Sequence, residues 1–316
     1  MKRALIIGHT GQDGTLMSQL LQDLNYEVLG ISSTKVYDSL EKRSVHKVDI
    51  TNYHEVEKII QQYQPNELYY FAAVHQSSSE SRTEEDLFNK SLDVNVKGLF
   101  NYLEAIKVHA NKARLFYASS SHIFGYPEYK PQLEGKGYNP SCIYGITKLT
   151  SMNLCKMYQQ KHGVYASVGI YYNHESSLRA SKFVSKKIVS TAVRIKNGAN
   201  EVLTLGDLNS TVDWGYAPDY MKATQLILQL DQPDTFIVSS GKRHTVKDFV
   251  EQVFKVLDLS WENHVKEDPS LIPNAQRKDL LGDHSKLTKM TGWVPETSFE
   301  EMINILVNNE LNEYAC

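Results

Sequence analysis

The chain has 316 residues, 41% of them hydrophobic, with a formal net charge of −3 at pH 7. It can bury a sizeable core, and the lack of any block of like charge argues against a nucleic acid or a membrane surface as a partner. No apolar run is long enough for a signal peptide or a membrane span, and Cys142, Cys155 and Cys316 have no metal-ligand spacing, so we expect a cytoplasmic protein without a metal site.

Short apolar runs alternate with amphipathic helical patterns through the first half of the chain. The predicted strands cover residues 4–7, 26–31, 68–72, 115–118 and 165–170. The predicted helices cover residues 15–24, 56–63, 94–108 and 144–161. Near-continuous apolar strands between helices are typical of a parallel sheet covered on both faces. The sequence therefore predicts an α/β protein with a Rossmann-type, doubly wound parallel sheet.

From about residue 173 the alternation becomes irregular. Helical patterns there cover residues 181–196, 217–230, 246–257 and 299–309. We therefore predict a nucleotide-binding domain over residues 1–172 and a smaller, mostly helical lobe over residues 173–316. The irregular order allows the chain to cross between the two lobes more than once.

A glycine-rich stretch follows the first predicted strand and opens the first helix. It reads Gly8-His-Thr-Gly11-Gln-Asp-Gly14. Glycines permit a tight turn and let the backbone approach a pyrophosphate, which binds at the free N–H groups of the helix N-terminus. The order of strand, turn and helix predicts a dinucleotide site that includes Gly8, Gly11, Gln12, Asp13 and Gly14.

The residues after the second strand bear on the choice of dinucleotide. No Asp or Glu is present there to bind a ribose 2′-hydroxyl, whereas Ser33 and Lys35, with Arg43 nearby, suit a 2′-phosphate. This pattern favours NADP over NAD, although a solvated loop lysine is the alternative interpretation. The rest of the dinucleotide is expected beside Asp49, Ile50, Ala72 and Ala73.

Tyr144 and Lys148 are four residues apart on a predicted helix, so they share one face. A nearby cation favours the phenolate, and the phenol can then exchange a proton with an alcohol that is being oxidised. In isolation the pair is more often an exposed tyrosine beside a solvated lysine. Three serines, Ser119, Ser120 and Ser121, follow the fifth strand at the sheet edge where α/β ligands bind.

The order of glycine-rich turn, Ser120, Tyr144 and Lys148 resembles the extended short-chain dehydrogenase/reductases. That family contains nucleotide-sugar epimerases, dehydratases and reductases that use NAD or NADP. The resemblance implies that Ser120 binds the sugar hydroxyl being oxidised and that Tyr144 is the acid/base. It also implies that Lys148 lowers the Tyr144 pKa and holds the nicotinamide ribose.

Further motifs resemble the GDP-mannose 4,6-dehydratase branch of that family. They are Gly11-Gln-Asp-Gly14, Tyr144-Gly-Ile-Thr-Lys-Leu149, Tyr172-Asn-His-Glu-Ser176, Leu205-Gly-Asp-Leu-Asn209, Asp213-Trp-Gly215 and Gly282-Asp-His-Ser-Lys286. The resemblance implies a GDP-linked sugar substrate bound by the second lobe. It also implies that His174 and Arg179 lie near the cofactor, and that Ser121, Asn173 and Lys187 lie toward the nucleotide-sugar.

Position 122 departs from the pattern of this branch, because His122 replaces a glutamate. In the family mechanism hydride leaves carbon 4, the glutamate takes the carbon 5 proton, water leaves carbon 6, and hydride returns to carbon 6. His122 is suited to a modified elimination, since histidine titrates near neutral pH. One alternative is a 4-keto-6-deoxy sugar reductase, a 4-dehydrogenase or an epimerase, which moves hydride at carbon 4 without elimination. Another is a histidine that only packs or shapes the site, with no role in proton transfer.

Other departures concern the substrate and the assembly. Val212 and Pro273 replace two arginines that clamp the diphosphate in the family, and Arg277 is a candidate substitute. A loop that helps the family's tetramers share cofactor sites is missing after Ile31, so a homodimer is favoured over a tetramer. A non-catalytic relative that only binds cofactor is the least favoured alternative, since Ser120, Tyr144 and Lys148 are all retained.

Overall fold

The computed structural model of the protein describes residues 1–33, 44–75, 83–271 and 279–315. In chain order the strands are β1 (Arg3–Ile7), β2 (Glu27–Ser32), β3 (Ser44–Lys47), β4 (Glu67–Tyr70), β5 (Arg114–Ser120), β6 (Tyr165–Tyr171), β7 (Asn173–Glu175), β8 (Leu203–Leu205), β9 (Thr211–Val212), β10 (Trp214–Tyr216), β11 (Thr235–Val238), β12 (His244–Thr245) and β13 (Val265–Glu267). The α-helices are α1 (Gln12–Asp23), α2 (Tyr53–Tyr63), α3 (Glu84–Ser91), α4 (Leu99–His109), α5 (Ile143–His162), α6 (Val184–Lys196), α7 (Ala217–Ile227), α8 (Val246–Val256), α9 (Ser285–Thr291) and α10 (Phe299–Ala315).

The central sheet has seven parallel strands in the order β11-β6-β5-β4-β1-β2-β3. Apolar side chains alternate between its two faces, as strand geometry requires. Leu5 and Ile7 of β1 join the core under α2, α4 and α5, whereas Ala4 and Ile6 join the core under α1, α7 and α9. The predicted fold class, a doubly wound parallel sheet, is confirmed.

A third core lies in a separate, mostly helical unit. Helices α6, α8 and α10 pack around it, and Trp214, Phe249 and Ile303 are among its fully or almost fully buried side chains. Three two-stranded sheets complete this unit: β7 with β10, β9 with β12, and β8 with β13.

The chain crosses between the two units after β6. Strand β11 pairs with β6 in the central sheet, and α7 and α9 pack on the same face of that sheet as α1. The predicted ranges 1–172 and 173–316 therefore do not follow the two packing units along the whole chain. The sequence analysis allowed for such a crossing without locating it.

In the described part of the chain, eight strands and two helices escaped the sequence analysis, namely β3, β7, β8, β9, β10, β11, β12, β13, α3 and α9. They are only two to eight residues long, so none offers enough turns or alternations for a periodic pattern. The predicted helix over residues 94–108 is divided: a π-helical turn covers Leu92–Gly98, and α4 follows it.

Asn95, within the π-helical turn, connects two parts of the sheet edge. Its amide oxygen accepts from the Val74 N–H at 2.9 Å, and its amide nitrogen donates to the Thr147 hydroxyl at 2.9 Å. The Ser151 hydroxyl donates to the Asn95 carbonyl at 2.6 Å. The π-helical turn thus connects the segment after β4 to α5. Turns of this kind often occur at functional sites.

None of the helices in the described part of the chain combines the length and apolar character needed to cross a lipid bilayer.

Candidate active site

Two cavities meet at the carboxyl edge of the central sheet. The larger, of about 640 Å³, is lined by the glycine-rich turn and by the ends of β1, β2, β3 and β4. The smaller, of about 370 Å³, is lined by residues at the ends of β5 and β6 and by the start of α5. Phe71 and Ala73 line both, so the two cavities form one continuous groove. Its length and position fit a dinucleotide with a second ligand beyond it.

Two positions of the glycine-rich turn, Gly8 and Gly14, leave no room for a side chain. Gly8 has a φ of +87°, and a Cβ there would lie 2.7 Å from the Ala72 nitrogen. A Cβ on Gly14 would lie 2.3 Å from the Gly8 carbonyl oxygen. Helix α1 starts at once after Gly11, which provides no side-chain cap. The free N–H groups of the helix N-terminus thus face a groove that a pyrophosphate can approach closely, and the residues fit a dinucleotide.

Seven of the residues predicted to bind the dinucleotide line the larger cavity. Gly8, Gly11, Ser33, Asp49, Ile50, Ala72 and Ala73 all line it. Hydrogen bonds from the Thr51 hydroxyl and N–H lower the pKa of Asp49. They also hold its carboxylate in place beside the groove as a hydrogen-bond acceptor. Lys47, which sequence reasoning missed, also lines this cavity. Lys35 and Arg43, the predicted phosphate contacts, lie outside the described residues.

Asp13 and His174 form an ion pair in the lining of the smaller cavity. The His174 Nε2 lies 3.0 Å from Asp13 Oδ1, and its Nδ1 lies 2.8 Å from the Tyr172 carbonyl oxygen. Both partners are acceptors, which favours protons on both ring nitrogens and a charged imidazole. Burial lowers the pKa of His174, but the Asp13 carboxylate outweighs it and the pKa is raised. Burial likewise raises the pKa of Asp13, and His174 reverses this to a lowered value.

Gln12 completes the connection between the glycine-rich turn and the segment after β6. Its amide nitrogen donates to Asp13 and to the His174 carbonyl, both at 3.2 Å. The Ser176 hydroxyl donates to its amide oxygen at 2.8 Å. Gln12 and Gly14 do not line either cavity, so their contribution is to the geometry of the turn.

Ser120, Tyr144 and Lys148 come together in the smaller cavity. The Lys148 ammonium donates to the Ala118 carbonyl at 2.7 Å and lies 5.5 Å from the centre of the Tyr144 ring. Burial lowers the pKa of Lys148 to about 7. Burial also raises the pKa of Tyr144 above its ordinary value, against a smaller opposing effect of the Ser120 hydroxyl. Desolvation thus dominates the pKa of Tyr144, and a lowering effect of Lys148 stays a prediction.

Two histidines face the Tyr144 ring edge-on. The ring centres of His122 and Tyr144 are 5.6 Å apart at an interplanar angle of 82°, and those of His75 and Tyr144 are 4.8 Å apart at 84°. The Cys142 sulfur lies 3.7 Å from His122 Nδ1 and also accepts the Gly145 N–H at the start of α5. The imidazole of His122 is thus held by its Nδ1 side.

The remaining predicted residues divide into two groups. Ser121, Asn173 and Arg179 line the smaller cavity, and Arg179 makes an ion pair with Glu175 at 3.0 Å. Lys187 lines neither cavity; it is exposed on α6 and donates to the Thr204 carbonyl at 2.7 Å. Arg277 and Pro273 lie outside the described residues. Across the described part of the chain, no cluster of His, Cys, Asp or Glu could hold a metal ion.

Sequence reasoning missed His75, Asn95 and Cys142. His75 follows a strand whose end was assigned to the dinucleotide through Ala72 and Ala73. It belongs to none of the motifs used in the sequence analysis, so it was not predicted as a site residue. The contacts of Asn95 and Cys142 depend on how α5 packs against β5 and the π-helical turn, so the sequence alone does not indicate them. Polar residues at the ends of parallel strands are the one signal that would have indicated His75.

Comparison with known proteins places these features in a family. Residues 5–306 match the family described as GDP-mannose 4,6 dehydratase. The chain is similar to GDP-mannose 4,6 dehydratase 1 from Arabidopsis thaliana, with 31% identity over 98% of this chain and 90% of that protein.

Solved structures with lower identity share the fold. RMD from Pseudomonas aeruginosa complexed with NADPH has a TM-score of 0.83 at 19% identity, covering 99% of this chain and 100% of that one. The dTDP-glucose 4,6-dehydratase from Bacillus anthracis in complex with NAD has a TM-score of 0.85 at 16% identity, covering 100% of this chain and 98% of that one. From the match across nearly its whole length, the chain belongs to the GDP-mannose 4,6-dehydratase family, within the extended short-chain dehydrogenase/reductases.

Proposed function

We propose that the protein is an NADP-dependent 4,6-dehydratase that acts on a GDP-mannose-like hexose or heptose, with His122 in the role of the family's glutamate. The observation that carries the proposal is the shared cavity of Ser120, His122, Tyr144 and Lys148, which opens directly onto the dinucleotide groove. Family membership supports a nucleotide-sugar as the substrate.

Tyr144 performs the first proton transfer. It takes the proton of the carbon 4 hydroxyl as hydride leaves carbon 4, and Ser120 orients that hydroxyl. The Ser120 hydroxyl opposes, without cancelling, the burial that raises the pKa of Tyr144, and the Lys148 ammonium, 5.5 Å from the ring centre, is proposed to favour the phenolate further. When bound, a nicotinamide ring would supply the hydride acceptor for carbon 4 and, once reduced, the hydride donor for carbon 6.

His122 performs the second proton transfer. The new carbon 4 ketone makes the carbon 5 proton acidic, and an imidazole is suited to abstract it as a general base. Water then leaves carbon 6. The 3.7 Å contact between the Cys142 sulfur and Nδ1 orients the His122 ring within the cavity, which supports the base role.

NADP is proposed over NAD for reasons at the adenosine end. Ser33 and Lys47 line that cavity and suit a 2′-phosphate, and Lys35 and Arg43 remain predicted contacts. The solved relatives named above contain NADPH in one case and NAD in the other. The test is a comparison of the two dissociation constants, with NADP expected to bind at least tenfold more tightly.

The second lobe is proposed to hold the nucleotide, with Asn173, Lys187 and Arg277 as its contacts. The GDP identity rests on the family, and Val212 in place of an arginine makes GDP the first substrate to test rather than the only one. We also propose a cytoplasmic homodimer joined through α4 and α5. Phe100, Val108 and Ile146 on these helices are 40–58% exposed, which supports an apolar contact there.

A reductase or epimerase is the second candidate, because histidine replaces glutamate at position 122. The deciding experiment incubates the protein with NADP and GDP-mannose and measures product mass. The proposal predicts a product lighter by one water. If the mass stays unchanged while NADPH is consumed on a 4-keto-6-deoxy sugar, the reductase is correct instead.

A further inference from the structure

The elimination that we propose needs two proton movements on the sugar, and the smaller cavity offers few groups for them. Asp13 is the sole carboxylate among the described residues that line it. That carboxylate is already hydrogen-bonded to His174 and to Gln12. The sugar end therefore depends on neutral or cationic groups for proton transfer.

His75 is well placed to be one of these groups. Its ring centre lies 5.9 Å from that of His122 at an interplanar angle of 83°, and both rings stand edge-on to Tyr144. The two imidazoles and the phenol thus converge on one space of sugar size. Histidine can both donate and accept a proton near neutral pH, so a pair of them can serve as acid and base.

Contacts with three neighbouring side chains and a backbone hydrogen bond hold His75 in position. The Lys182 ammonium donates to its backbone carbonyl at 3.2 Å. The Phe183 ring packs against its imidazole with ring centres 5.6 Å apart, and the Arg179 guanidinium covers Phe183 at 3.6 Å from the ring centre. The Val74 N–H beside it is bound to Asn95. A histidine held in this way is pre-organised for a specific proton transfer.

We propose that His75 is the general acid for the departing carbon 6 hydroxyl, paired with His122 as the base at carbon 5. This inference rests on the proposed dehydratase function. The carbon 5 proton passes to His122 as the C5–H bond breaks and the C5–C6 double bond forms. The C6–O bond breaks, and the leaving oxygen takes a proton from His75, so one water departs. The proton on His122 later returns to carbon 5, and a proton from solvent restores His75.

Exchange of the carbon 5 hydrogen separates the two roles. In D₂O, a protein that oxidises carbon 4 and abstracts the carbon 5 proton without expelling water returns GDP-mannose that carries one deuterium. We expect this result for His75→Asn and His75→Gln, with dehydration at least 100-fold slower than in the unaltered protein. His122→Gln should lose both the exchange and the dehydration. His54→Gln, at an exposed histidine on α2, is the matched control and should match the unaltered protein.

A structural effect is excluded by a measurement apart from turnover: the NADP dissociation constant and the melting temperature of both His75 variants should match those of the control. Dehydration by both His75 variants within threefold of the unaltered protein would overturn the inference. So would loss of exchange together with dehydration, since His75 would then act before the elimination. If the unaltered protein itself expels no water, the proposed function fails and this inference fails with it.

Discussion

Asp13 and His174 are 161 positions apart in the sequence, yet 3.0 Å separates the carboxylate oxygen of one from Nε2 of the other. The pair fastens the first turn of α1 to the segment that follows β6. Both residues line the smaller cavity, so the pair shapes that cavity as well as stabilising the fold. Its strength is open to direct measurement.

His174→Gln should destabilise the protein by about 2 kcal/mol at pH 6. The change removes the cation that balances Asp13, and breaking a fully buried pair typically costs about 3–5 kcal/mol. The smaller value is expected because 22% of the Asp13 side chain remains exposed. Urea unfolding gives the free energy, with His54→Gln as the control. A loss no larger than that of the control would mean that the pair contributes nothing.

The contribution of this pair should depend on pH in a defined window. His174 has a raised pKa when folded, so its contribution is present below the ordinary value of 6.5 and is lost as the pH rises through the raised value. Asp13 has a lowered pKa, so its contribution is lost as the pH falls below the ordinary value of 3.8. The difference between the unaltered protein and His174→Gln should thus be greatest between about pH 4 and 6.5. An equal difference at pH 5 and pH 9 would contradict a charged His174.

Gly14→Ala should destabilise the protein, although alanine is the better helix former. In an open helix the change would stabilise by up to about 1 kcal/mol, but here the new Cβ would lie 2.3 Å from the Gly8 carbonyl oxygen. We expect a net loss of at least about 2 kcal/mol in urea unfolding. Gly11→Ala is the matched comparison, because its Cβ would lie at an ordinary 3.4 Å from the same oxygen. Equal effects at the two positions would refute the packing argument.

Tyr144→Phe should lower kcat at least 100-fold and leave NADP binding intact, because only the phenolic proton acceptor is removed. Tyr158→Phe is the control on the same helix, since its hydroxyl binds Glu104 away from both cavities. Initial rates and fluorescence titration with NADPH provide the two measurements. Turnover that survives Tyr144→Phe would refute the catalytic assignment of Tyr144. If the unaltered protein shows no turnover either, a non-catalytic cofactor-binding protein would be favoured.

Lys148→Met should abolish turnover and yet stabilise the fold near neutral pH. Burial lowers the Lys148 pKa from 10.5 to about 7. Between these values the unfolded chain binds more protons than the folded one, so the stability of the unaltered protein rises with pH. The advantage of Lys148→Met should therefore shrink by roughly 1 kcal/mol per pH unit above pH 7. Urea unfolding from pH 7 to 10 measures it, and an advantage that stays constant would show that Lys148 is not desolvated.

Much of the site was predictable because its motifs are local. Gly8 and Gly14 belong to a turn whose chemistry is contained in seven residues, and Tyr144 and Lys148 share a face of one helix. The partners of those residues were not predictable, because they depend on how distant elements pack. The pKa of Tyr144 depends on the balance between desolvation and nearby charges, which packing determines. The contact between the His75 and His122 rings depends on packing as well. Short elements such as β11 and α9 escaped for the same reason, since packing rather than periodicity defines them.

Hydride transfer from carbon 4 to carbon 6 is the central claim, and a substrate labelled at carbon 4 tests it most directly. GDP-mannose that carries deuterium at carbon 4 is incubated with the protein and unlabelled NADP, and the product is examined by mass spectrometry and NMR. We predict a product that has lost one water and carries the deuterium at carbon 6. Recovery of unchanged substrate, or of deuterium only on free NADPH with no loss of water, would contradict the dehydratase assignment.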